Sequence, residues 1–138
     1  MDPYHTIPGK LTCCWEPSVS AVVDTWQSYF VTLDAFKETV MVKGVSEARA
    51  RGGKAWIVDS STAKGNFPPE IQSFIGTDVF KKFAEIGIKY FITISSQSAA
   101  TNMTIKNYSA KVGPAGIELV EATSAKDAIE WLKQKGVE

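Results

Sequence analysis

From Thr32 to its end the chain alternates between stretches of helical period and short apolar runs, and this alternation restricts the available folds more than any other feature. Thr32 can cap a helix whose apolar positions Leu33, Phe36, Val40, Val45 and Ala48 recur at helical spacing until Gly52-Gly53 stops it. Ala55 to Val58 is almost wholly apolar, as suits a strand covered on both faces. The segment Ala63 to Pro69, with two prolines and a glycine, reads as a loop, and Pro69 suits the first turn of a following helix. Gly76 followed by Thr77 predicts a break in that helix, after which Val79, Phe80, Phe83 and Ile86 form an apolar stripe ending at Gly87. Lys89 to Ile94 reads as a central strand. Ser95-Ser96-Gln97-Ser98 leads into a weaker helical stretch with Met103, Tyr108 and Val112 as its inner residues, ended by Gly113-Pro114. Ile117 to Val120 is a last strand, and Ser124 with Asp127 opens a helix that holds Ile129 and Leu132 and closes at Gly136.

Upstream, Leu11 to Trp15 and Val19 to Trp26 are rich in Val, Thr and Trp and are separated by Glu16-Pro17-Ser18, the pattern of a β-hairpin. Met1 to Lys10 reads as an N-terminal tail, with one domain over residues 11–138. Strands alternating with helices imply right-handed βαβ crossovers. The expected fold is therefore a single-domain α/β structure: a mixed, mostly parallel sheet with an N-terminal β-hairpin and helices packed on it.

Charge and composition exclude several classes of function. Fifteen basic residues balance fifteen acidic ones, which removes the net positive field on which sequence-independent nucleic-acid binding depends. Lys43, Arg49, Arg51 and Lys54 cluster where a helix C-terminus gains from cations. Cys13 and Cys14 are adjacent, so in an extended segment their side chains point to opposite faces and a bond between them is geometrically poor; a reduced compartment fits. Met1 to Lys10 lacks the order of a secretory signal, and no apolar run approaches the roughly 20 residues that span a bilayer. The expectation is a cytoplasmic protein with no nucleic-acid partner and no membrane span.

The search for chemistry yields no catalytic or metal set. Asp24 and Asp59 are conceivable as an acid/base pair, but no positioned His or Lys accompanies them, and the sole histidine, His5, falls in the expected tail. Two adjacent cysteines and one histidine do not make a zinc site. Neither phosphate-cradling glycine motif occurs, so no cofactor is expected. The ends of two strands supply Asp59, Ser60 and Ser61 on one side and Ser95, Ser96 and Ser98 on the other, where ligands of open parallel sheets sit. These residues form either a small polar cleft suited to an anion or simply a set of caps and turns. Trp26, Tyr29, Phe30 and Phe67 fall in expected loops or element ends. They form either a partner or dimer surface or an apolar cover folded back over the core.

The layout and several strings resemble the STAS (SpoIIAA-like) family. There a hairpin precedes a helix, then a strand reading roughly V-L-D-L-S, a loop, and a helix opened by D-S-S-G. Ile57-Val58-Asp59-Ser60-Ser61 looks like that strand end. The run Ile88 to Ile94 resembles the strand before the family's variable helix, and Ala122 to Ala128 its terminal helix start, so that the likeness covers Leu11 to Lys135. The resemblance implies a non-catalytic regulatory or protein-interaction module whose partner is a protein, such as a kinase or sigma-control component, or a second copy of the chain. The alternative is a carrier of a small lipid-like, apolar or anionic ligand on the same fold. Pro68 and Pro69 stand where the family's antagonists carry a phosphorylated serine, and proline has no hydroxyl to modify. Control of that kind would have to move to Ser60 or Ser61, and the expectation is constitutive binding without a phosphoserine switch.

Overall fold

The computed structural model describes residues 1–138 as one α/β domain. Six strands, β1 (Asp2–Ile7), β2 (Leu11–Glu16), β3 (Ala21–Trp26), β4 (Ala55–Asp59), β5 (Tyr90–Ile94) and β6 (Glu118–Ala122), form a single sheet in which the spatial order follows the chain order. β1, β2 and β3 are antiparallel; β3 to β6 are parallel. The fold class expected from the alternation is therefore the observed one. Four helices accompany the sheet: α1 over residues 33–51, α2 over residues 69–85, α3 (Ala99–Ser109) and α4 (Ala125–Gln134).

The chemistry of the caps accounts for where these helices begin. The Thr32 hydroxyl accepts from the Ala35 amide, Ser98 from Thr101 and Ser124 from Asp127, each satisfying one amide that the first helical turn leaves free. Pro69 occupies the first turn of α2, where its missing N–H costs nothing. Gly52, at φ 68°, terminates α1 in the left-handed conformation that a side chain disfavours.

Parallel strands in chain order dictate how the two faces of the sheet are covered. Right-handed crossovers that all step in one direction pass over the same face, and α1, α2 and α3 indeed share one apolar cluster with Leu11, Cys13, Trp15, Val22, Trp56 and Phe91. The opposite face has only α4, whose Ala128 and Leu132 pack on Ala21, Val23, Ala55, Ile57 and Ile92. Both edges are ill suited to further pairing. β1 carries Pro3 and a bulge between Pro3 and His5, and β6 exposes Glu118 and Glu121.

Three local expectations are corrected. Residues 2–7 are an edge strand, so the first ten residues are not a tail and His5 pairs with Cys13; neighbouring β2 offers a free row of backbone groups that the weak local pattern of Asp2–Ile7 does not advertise. Gly76-Thr77 does not break α2. The helix continues through a π-helical segment, Ile75–Val79, and α1 contains another, Lys37–Gly44. Met103 faces outward, while Thr101, Thr104, Ile105 and Tyr108 are the buried residues of α3.

Leu132 is completely buried at the centre of the thinly covered face, whereas Leu119 is 37% exposed at the β6 edge. Leu132→Ala is expected to lower unfolding free energy by about 2–5 kcal/mol. Leu119→Ala should change it by no more than about 0.5 kcal/mol. Urea titration of both variants measures the contrast.

Candidate functional site

The residue that stands out physically is Asp24. It lies in the apolar strand sequence Ala21-Val22-Val23-Asp24-Thr25-Trp26 and is 2% exposed, on the face covered by α1 and α2. A carboxylate in such a place must be paired or must hold on to its proton. Trp56, on neighbouring β4, donates its indole N–H to Asp24 Oδ2 at 2.9 Å. Oδ1 is equally buried and accepts no well-formed hydrogen bond, with only the weak-donor thiol of Cys13 close enough to stabilise the carboxylate. Burial pushes the Asp24 carboxyl up to about 6, with the Trp56 and Cys13 contacts pulling the other way.

Asp24 opens onto a cavity of about 40 Å³ enclosed between the sheet and the helices. Thirteen residues line it and twelve of them are hydrophobic. The floor includes Trp26, Trp56, Val58 and Phe91 from the sheet, and the roof includes Phe36 and Val40 from α1 and Ile75, Val79, Phe80 and Phe83 from α2. Val40, Ile75 and Val79 belong to the two π-helical segments. Wider turns of this kind recur in functional regions of helices, and here both wall the same space. The Trp56 ring stacks on Phe83 at 3.9 Å. A β-carbon placed on Gly44 would come within 2.8 Å of the same indole, so the absence of a side chain there lets α1 lie close over it. Since a water molecule occupies about 30 Å³ of liquid, the cavity has room for a small group and not for a drug-sized molecule.

A polar chain continues from Asp24 beneath the helices. Cys13 is its register partner across β2 and β3, and Tyr4 from β1 lies beside Cys13 with its hydroxyl buried and unpartnered. Burial, reinforced by the nearby Asp24 charge, drives the Cys13 thiol and the Tyr4 hydroxyl far above their ordinary values, so neither ionises near neutrality. Both cysteines are free thiols. At the other end of the cavity Tyr108 contacts Tyr29 at 3.2 Å between hydroxyls, and Tyr29 meets Ser60 Oγ at 2.5 Å.

The expected serine cleft does not form as a shared site. Asp59 and Ser60–Ser61 do follow β4, and Ser95, Ser96 and Ser98 do follow β5, but most of their polar atoms bond inward. Asp59 accepts from the Ser61 amide. Ser60 is fully buried against Tyr29. Ser96 donates to the Ala63 carbonyl and accepts from the Ser98 amide, while Ser98 caps α3. The turn-and-cap reading is the observed one for these residues. Ser61 and Ser95 remain exposed, and Ser95 touches an open polar groove beside α3 and β6. The physical reason is the strand order: it never reverses from β3 to β6, so the sheet has no switch point at which two crossovers diverge to leave a crevice. Burial also removes Ser60 from the two positions considered for phosphorylation and leaves Ser61.

The aromatic surface is corrected in the same way. Trp26, Tyr29 and Phe67 are 3%, 0% and 4% exposed. Phe67 stacks on Tyr29 at 4.1 Å and meets Trp26 edge to face at 5.1 Å. Only Phe30, 64% exposed, faces solvent. The imagined pairing of Asp24 with Asp59 also fails, because Thr25 and not Asp24 is the register partner of Asp59, which puts the two carboxyls on opposite faces. The signal for Asp24 was present as a charged residue inside an apolar strand run, but no spacing could reveal the π-segments above it.

No protein-family model matches the chain, and neither the curated proteins nor the solved structures contain a match. None of these comparisons supports the resemblance to STAS domains, which rests on element order and short strings of sequence.

Between the ordinary aspartate value and about 6 the unfolded chain has released a proton that folded Asp24 still holds, so this group makes stability fall as pH rises through that window and level off above it. The shift from 3.8 to about 6 corresponds to about 3 kcal/mol. Asp24→Asn, which keeps an acceptor for Trp56, is expected to gain stability relative to the parent protein by an amount that grows by that order from pH 4 to pH 7. Denaturant titrations of both proteins across this range measure the difference, and a flat difference would contradict the burial argument.

Proposed function

We propose that the domain is a non-catalytic binding module that takes a small, mostly apolar molecule into the closed cavity between its helices and its sheet. The observation that carries this reading is Asp24, the one charged residue in an otherwise hydrophobic lining, with Oδ1 buried and unpartnered. Orphaned buried acceptors are rare and costly, and a buried carboxyl with a strongly raised pKa beside a cavity is the kind of group that clusters at functional sites. The binding-competent form is roomier than the closed one, and the π-helical segments of α1 and α2 are the places where the roof would give. Two free thiols and the absence of a helix long and apolar enough to cross a membrane agree with a cytoplasmic setting for such a module.

Protein docking of the STAS type is the second reading. What favours it is Phe30, a large exposed ring on the loop after β3, packed over Gly65. If Phe30 anchors a second copy, sedimentation at high concentration should show a dimer that Phe30→Ser abolishes.

For the cavity, xenon under pressure and isobutanol at up to tens of millimolar are the probes. Binding is expected to shift the indole N–H resonance of Trp56 and the amide of Gly44, with distant amides unmoved. No shift with either probe would remove the reading. Gly44→Ala should push the Trp56 indole out of place, weaken isobutanol binding at least fivefold and destabilise the fold by about 1–3 kcal/mol, despite alanine's advantage of about 1 kcal/mol in a helix.

A further inference from the structure

We infer that the molecule this cavity selects is a small organic ammonium ion, held by the Asp24 carboxylate and by the aromatic rings around it. The inference rests on the reading of the cavity as a ligand site and names its chemistry. Eight of the thirteen lining residues are aromatic, among them Trp26, Trp56, Phe80 and Phe83, and the lining contains no basic side chain. Aromatic rings attract cations through their quadrupole, most strongly where water is excluded. A carboxylate with one oxygen already bonded to Trp56 and the other free adds a directional acceptor of the matching sign.

The remaining chemistry of the lining rules against other classes. An anion would meet a carboxylate and no countercharge. The only other polar residue in the lining, Tyr108, already has its hydroxyl against that of Tyr29. A neutral alcohol would satisfy Oδ1 but leave the charge uncompensated in an apolar enclosure, whereas an ammonium ion supplies both the donor and the charge. Folding has already removed water from Asp24, so the ligand meets a desolvated partner. The enclosure, about 40 Å³, takes little more than the ammonium head, and a short alkyl tail requires the roomier form.

The groups facing Asp24 leave its charge as the one that matters near neutral pH. Cys13 from β2 and Tyr4 from β1 stay protonated, as does Tyr108 from α3 at the far wall, and Trp56 from β4 does not titrate. Glu47 from α1 lies near enough to act on Tyr4, but its charge is paired with Arg51 at 2.9 Å, which leaves Asp24 as the uncompensated carboxylate of the cavity. Recognition of a cation should therefore strengthen as the pH rises past about 6 and Asp24 loses its proton.

The test uses three probes of one skeleton, isobutylammonium, isobutanol and isobutyrate, titrated into the full chain while the Trp56 indole N–H is followed. At pH 8 isobutylammonium should bind at least tenfold tighter than isobutanol, and isobutyrate should produce no shift. At pH 5, and in Asp24→Asn at pH 8, the preference for the ammonium should fall below threefold. Any measurable isobutanol binding in Asp24→Asn shows that its cavity still admits a ligand; where that variant does not bind isobutanol, the pH dependence of the parent protein decides. Equal binding of ammonium and alcohol at pH 8, or a tenfold preference that survives either at pH 5 or in an intact Asp24→Asn, overturns the ammonium inference and leaves the cavity reading standing. Failure of all three probes to bind the parent protein overturns the cavity reading itself.

Discussion

Once β3, β4, β5 and β6 lie side by side in chain order, their three connections have no choice of side: each right-handed crossover must pass over the same face of the sheet. Much of the architecture follows from this constraint. Three helices crowd one face and create the larger apolar cluster, with its stacked and edge-to-face aromatic rings. The other face is left to the C-terminal helix, which covers it with a smaller cluster centred on Ala128 and Leu132. The same order leaves no diverging pair of crossovers, and so no crevice at the strand ends. The cavity arises instead inside the crowded layer, where large rings and two π-helical segments do not close completely on the sheet.

Asp24 shows the tension that this layer contains. Its position in β3 points it into the crowded face, where the indole bond from Trp56 and the neighbouring Cys13 thiol offset only part of the desolvation. A hydrophobic residue of similar size would pack there without that cost. The carboxyl is instead retained in contact with a cavity, one oxygen bonded and one free, beside a thiol and a phenol that burial keeps neutral. Asp24 Oδ1 shares this unmet bonding with the hydroxyls of Tyr4 and Ser109, but of the three only Asp24 lines the cavity.

Local chemistry makes most of the elements legible in the amino-acid sequence. The caps at Thr32, Ser98 and Ser124, the stop at Gly52, the proline entry to α2 and the short apolar strand runs all act within a few residues of themselves, so alternation of period is enough to give an α/β domain with an N-terminal hairpin. The same local pattern underestimates Asp2–Ile7, because an edge strand takes its stability from hydrogen bonds to β2 that its own residues do not encode.

The site is legible only in fragments. Asp24 is visible as a charge in an apolar strand, and the serines as residues that follow strands. Which of them share a space depends on strand order and on which face each strand presents, and those are settled by packing between segments far apart in the chain. Trp26, Tyr29 and Phe67 illustrate the limit: each sits at the end of an element or in a loop, where sequence alone allows either exposure or burial, and only the arrival of α1 and α3 above the sheet encloses them. The amino-acid sequence by itself determined the kinds of elements, their caps and their order, because these depend on local conformational preference and hydrophobic period. The tertiary structure alone decided that Asp24 faces a closed aromatic cavity while the serines bond their own loops, because burial is a property of surfaces brought together from distant parts of the chain.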